Sequence, residues 1–159
     1  MDLDRQHYYT RRLEKLEEKI RNSAIPEENK ELIFKFRDYS IATSLGVSRV
    51  LKLMYTVFSF AKIMDREFER STVEDLQRGM GLVERSPRRE STKQDYRVII
   101  RKFYKWLRNT EEGYPPEVRF IKLRSKVNSK RLPEDLLTEE DIATLINSAR
   151  IQENSTNDI

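Results

Sequence analysis

Cysteine is absent from the 159 residues, which excludes a disulfide framework and any thiolate metal site. Only one histidine is present, His7 near the amino terminus, so no histidine cluster exists to ligate a metal. No glycine-rich phosphate loop occurs. The acidic pairs Glu17–Glu18, Glu111–Glu112 and Glu139–Glu140 are adjacent residues, which diverge on a helix and do not converge on one substrate atom. Neither catalysis nor a cofactor is expected. With four glycines and five prolines, the composition favours long helices over a turn-rich β fold. No apolar run approaches the ~20 residues of a membrane span, and the opening "MDLDRQHYYTRR" lacks the apolar stretch of a signal peptide. A cytoplasmic protein with no membrane partner is the expectation.

What is present is charge, unevenly placed. Charged residues make up 36% of the chain and hydrophobic ones 37%, enough for one lean helical core. The net charge of +4 conceals a separation: residues 85–131 hold 15 Lys or Arg against 5 Asp or Glu, and the remainder holds 16 against 22. Positive charge gathered in one third of a chain points to an anionic partner. A solvated lysine-rich surface is the bland alternative.

Apolar spacing predicts a first helix over Leu3–Arg21 on Leu13, Leu16 and Ile20. Pro26 suits the first position of a second helix running to about Thr43, with Leu32, Ile33, Phe36, Tyr39 and Ile41 on its apolar side. Gly46 is a candidate left-handed cap. Ser48 can then cap a third helix to about Met64, with Val47, Val50, Leu51, Met54, Val57, Phe58 and Ala61 facing inward. Ser71 and Glu74 have capping-box spacing for a fourth, which Gly79 and Gly81 should shorten or interrupt. A fifth begins at Ser91 or Thr92, and Tyr96, Ile99, Ile100, Phe103 and Leu107 mark its buried face.

That fifth helix carries the chemistry. Lys93, Arg97, Arg101 and Lys105 recur every four residues and are predicted to form a continuous cationic stripe. A rigid row of cations suits the phosphates of a nucleic acid. Ser91, Thr92 and Lys93 lie at the positive end of the helix, and Arg88 and Arg89 precede it within reach of backbone or base edges. Ser48, Arg49 and Lys52 repeat the combination of hydroxyl and cation at the start of the third helix. Phe103, Tyr104 and Trp106 read as packing residues rather than base-stacking ones. Beyond Asn109 the helical period is lost. Residues 111–137 therefore read as an extended basic linker after a helical domain over 1–110, followed by a short helix over 138–150 and a disordered tail over 151–159.

The segments "ENKELIFKFRDYS", "GVSRVLKLMYTVFSFAKIM", "STVEDLQRGM", "STKQDYRVIIRKFYKWLRN", "YPPEVRFIKL" and "LPEDLLTEEDIATLINSA", in that order, resemble the amino-terminal core-binding (SAM-like) domain of tyrosine recombinases, or phage-type integrases, particularly archaeal ones. The resemblance spans about residues 10–150. It implies an all-α bundle of four to five helices that grips one side of double-stranded DNA, with two helix starts in the major groove. The matching positions are Ser48, Arg49 and Lys52 on one helix and Ser91, Thr92, Lys93, Gln94, Arg97 and Arg101 on the other. A linker tracking the DNA would bring Arg119, Lys122, Arg124, Lys126, Lys130 and Arg131 to it. The resemblance also implies protomer contact through the first helix, and nucleoid association when bound. The arginine, His-x-x-Arg and nucleophilic tyrosine of the family's catalytic domain have no counterpart here. Residues 138–150 resemble that domain's first helix, so the chain as given is expected not to be an enzyme. The rival expectations are a helical protein–protein module with a basic face for an acidic partner, and RNA binding.

Overall fold

The apolar stripes and breaks of the sequence resolve into five helices. The computed structural model describes residues 3–124. They comprise α1 (Leu3–Arg21), α2 (Glu27–Ala42), α3 (Val47–Met64), α4 (Val73–Arg85) and α5 (Glu90–Leu107), with single 3-10 turns at Phe68–Arg70 and Pro116–Val118. It is an all-α bundle without strands among the described residues. The residues from 125 onward, including the predicted 138–150 helix, lie outside the described residues.

α3 is the axle, packing against each of the other four helices. Its inward surface is accordingly wider than a single stripe. Leu53, Thr56 and Phe60 are buried along with Val50, Met54, Val57, Phe58 and Ala61, as a helix surrounded by neighbours requires. Val47 and Leu51 sit only half-buried at the edge. An aromatic cluster joins α2 and α5 to the turn at Phe68–Arg70. Phe103 of α5 meets Phe68 edge-on at 4.9 Å and Phe36 of α2 at 5.2 Å, and Trp106 covers Phe36 at 5.2 Å.

The helix ends differ from their sequence signals by small, explicable shifts. Ser44, not Gly46, adopts the left-handed conformation, at φ 75°, and Gly46 is the extended N-cap of α3. Ser48 therefore lies inside the first turn and caps nothing. The capping box of α4 falls one residue later than Ser71 and Glu74. Thr72 Oγ1 accepts from the Asp75 N–H at 3.2 Å, and the Thr72 N–H donates to Asp75 Oδ2 at 2.9 Å. α5 starts at Glu90, and like α2 and α3 it has no side-chain cap.

α4 also runs unbroken through Gly79 and Gly81. A Cβ on Gly79 would lie 2.7 Å from Met64 Sδ and 3.0 Å from the Phe60 ring, so the missing side chain is what lets α4 approach α3. The helix-propensity cost of glycine, about 1 kcal/mol, is set against closer packing of the two helices.

Residues 111–123, predicted as the start of an extended basic linker, fold back on the bundle. Pro115, Val118 and Ile121 are buried, and the Pro116–Val118 turn packs on α4 and α5. Arg108 Nε donates to Glu117 at 2.6 Å and Nη2 to the Glu69 carbonyl at 2.9 Å, fastening both turns to the end of α5.

Asp75 makes the fold sensitive to acid. The Thr72 N–H, then Arg78 at 2.8 Å, favour its carboxylate and bring its pKa down to about 2. The folded value lies below the unfolded one of about 3.9, so this stabilisation is complete above that value and disappears as pH falls toward 2. The Tm advantage of the wild type over Asp75→Asn is expected to hold level from pH 6 to about pH 5 and to shrink from there to pH 2.5. A constant difference would refute the assignment.

Candidate nucleic-acid interface

Helical geometry first decides where the α5 cations go. Four residues advance a helix about 40° beyond a full turn, so a row at that spacing winds around the helix instead of holding one face. Lys93, Arg97, Arg101 and Lys105 do this. The row begins beside the core and leaves it only in the last turns.

Arg97 therefore departs from its predicted role. It is 3% exposed. Its guanidinium forks onto Glu84 of α4, Nε to Oε2 at 2.7 Å and Nη2 to Oε1 at 2.8 Å. Nη1 donates to Glu90 at 2.8 Å and to Gln94 Oε1 at 2.9 Å. The hydrogen bonds to Glu84 foremost raise the pKa of Arg97 and lower that of Glu84. With its donors so committed, Arg97 is an internal clamp between α4 and α5 and offers nothing to a phosphate. Gln94 belongs to the same cluster.

The remaining predicted residues fall into two groups. In the first, cations are engaged with the protein. Lys93 Nζ donates to the Glu84 carbonyl at 2.7 Å, capping the end of α4. Arg88 lies over the Tyr96 ring at 5.3 Å, and Arg101 stacks on Tyr114 at 4.0 Å with Lys105 at 5.2 Å. Arg119 donates to the Tyr114 carbonyl at 2.9 Å. Guanidiniums stacked this way still present edge N–H groups to solvent.

Ser48, Arg49, Lys52, Arg89 and Ser91 form the second group. All are exposed, and Thr92 is half-buried among them. Lys52 reaches Asp95 of α5 at 3.1 Å, which ties the α3 start to the first turns of α5. Lys122, within the fold-back segment, and Arg124 are exposed, and Lys126, Lys130 and Arg131 lie outside the described residues.

One residue here escapes the four-residue pattern. Lys102 shares the α3-facing flank of α5 with Ser91, Asp95 and Val98, at offsets of four, seven and eleven from Ser91. Its ammonium is half-buried, and its pKa is lowered by burial and then by Arg49 of α3. Neither Arg49 nor Lys102 has a carboxylate partner among the described residues. The cue was the register shared with Ser91 and Asp95, which the stripe on the other flank obscured.

Arg49, at the start of α3 that no side chain caps, thus lies near enough to Lys102 of α5 to disfavour its charge, and neither has a counter-charge among the described residues. This arrangement can hold an external anion. Among the described residues no cluster of His, Cys, Asp or Glu is placed for a metal, and no helix is long and apolar enough to cross a membrane. Compared with family models, curated proteins and solved structures, the chain matches none.

Proposed function

We propose that this chain binds double-stranded DNA as the core-binding domain of a tyrosine-recombinase-type protein, without cutting it. The observation that carries the reading is the exposed set Ser48, Arg49 and Lys52 at the start of α3, with Lys102 of α5 near enough for Arg49 to disfavour its charge. Like charges brought together on a half-buried surface repel unless an anion joins them, and a phosphate supplies that charge. The uncapped start of α3 offers backbone N–H donors beside Arg49, with Ser48 as a further donor, and the uncapped start of α5, with Ser91 and Thr92, is a separate donor set about three turns from Lys102. Phosphate contacts would fix the register, and Arg89 would be nearest to base edges.

The test is fluorescence-anisotropy titration of labelled duplexes over a series of salt concentrations. Wild type is expected to bind with log K falling linearly with log salt, and Arg49→Gln/Lys102→Gln to flatten that slope by about two units. A duplex RNA competitor should displace the DNA poorly. No duplex binding even at low salt would move the reading to an acidic protein partner, and stronger competition by RNA would move it to RNA.

A further inference from the structure

α1 separates its charges by side. At about 100° per residue, Arg12, Lys15 and Lys19 lie on one flank of the Leu13–Leu16–Ile20 stripe, and Glu14, Glu17 and Glu18 on the other. The acidic flank is turned toward α2, where Glu17 accepts from Arg37 at 3.0 Å. The basic flank faces α3. There Arg12, Lys15 and Lys19 line an open groove of about 500 Å³ whose opposite wall is Ser48, Lys52 and Tyr55, with Leu16 and Leu51 beneath.

No carboxylate lines this groove. Arg12 donates only to Tyr8 Oη, at 3.1 Å, and Lys15 and Lys19 have no carboxylate partner among the described residues. The α3 wall repeats at intervals of three, four and seven, so Ser48, Leu51, Lys52 and Tyr55 stand in one line along the helix. Lys52 belongs both to the groove and, through Asp95, to the flank of α5 that carries Lys102. A single basic face therefore continues from α5 across α3 onto α1.

We infer that the α1–α3 groove seats a second stretch of sugar-phosphate backbone, extending the duplex footprint to a third helix. The inference rests on the DNA-binding reading above. From Arg12 to Lys19 the helix rises about 10 Å, a row that follows several successive phosphates of one strand. Across from that row Ser48 and Tyr55 line the groove, the Lys52 stem beside them with its ammonium on Asp95, and Leu51 and the Tyr55 ring give the sugar carbons an apolar seat. A small anion would meet only part of the row, whereas a polyanion meets all of it.

The experiment compares Lys15→Gln/Lys19→Gln with Lys35→Gln/Lys62→Gln in the full chain, using a 40-base-pair duplex from about 50 to 300 mM KCl. The groove variant is expected to lose about two units of salt slope and about fiftyfold in affinity at 100 mM, the control less than half a unit. Equal losses in both would reduce the effect to net charge and overturn the inference. So would an unchanged slope in the groove variant while wild type binds normally, and in that case the DNA reading itself would stand. Absence of wild-type duplex binding would remove both. An acidic amphipathic peptide that binds wild type but not the groove variant, with the duplex slope unaltered, would assign the groove to a protein and also overturn the inference.

Discussion

Replacing Phe103 by alanine is expected to lower the unfolding free energy by about 4 kcal/mol, read as a fall in the urea midpoint with little change in m. Phe103 is wholly buried, and its ring touches four other aromatic rings, with Phe68, Phe36, Tyr104 and Trp106 centred at 4.9, 5.2, 5.5 and 5.7 Å. Truncation removes transfer free energy and leaves a cavity bounded by α2, α5 and the connector between α3 and α4. Rigid rings on every side limit collapse into that space. Phe103→Leu should recover roughly half of the loss, because it refills part of the volume without the edge-to-face contacts. A loss under about 2 kcal/mol for alanine would mean that the cluster relaxes around the gap.

Arg97→Ala should cost about 3 kcal/mol, although the residue is formally a surface-type cation. Removing it takes the guanidinium fork from Glu84 and its hydrogen bond from Glu90, and opens the seam between α4 and α5. Both carboxylates are partly exposed and can rehydrate, which keeps the cost at the lower end for a broken buried pair. The informative comparison is Arg97→Lys, which retains the charge. An ammonium cannot span both oxygens of Glu84 and reach Glu90 as the planar fork does, so lysine should recover less than half of the stability. Its salt slope for DNA should match that of wild type. Full recovery of stability by lysine, or a lost unit of slope, would return Arg97 to a role in binding phosphate.

These two residues mark what could be read from the sequence and what could not. Apolar periodicity placed α1 over Leu3–Arg21 and the buried face of α5 on Tyr96, Ile99, Ile100 and Phe103, because burial of a stripe is a property of one helix alone. The cationic row failed because its spacing of four was treated as though it were the helical repeat. The drift of about 40° per step spreads the row from the flank of the buried face to the far side of the helix, and Arg97 falls on the flank where Glu84 of a different helix waits. No local pattern announces that partner, thirteen residues away. Lys102 and the basic flank of α1 were hidden for a related reason: each becomes part of a site only when α3 supplies the other half. The turn at Pro116–Val118 was missed because three prolines suggest extension, whereas here Pro115 is itself buried against the bundle. Gly79 announced a weak helix by propensity and instead marks a close approach, a fact held jointly by α3 and α4.

The short connector at residues 65–71 joins α3 to α4 but is held by helices far from it in the chain. Asn29 of α2 clasps it twice, donating to the Arg66 carbonyl at 2.9 Å and accepting from the Phe68 N–H at 2.9 Å. From α5, the buried Tyr104 hydroxyl donates to the Phe68 carbonyl at 3.0 Å, and burial raises the phenol's pKa. These bonds close loops of nearly forty residues in both directions along the chain, so none can form before α2 and α5 have arrived. The connector is thus a late arrival in folding. Once in place it cannot open by itself, because freeing it strands buried donors and acceptors on two helices at once. The bundle consequently gains or loses its structure as one cooperative unit, in which the connector between α3 and α4 forms and opens together with the packing of α2 and α5.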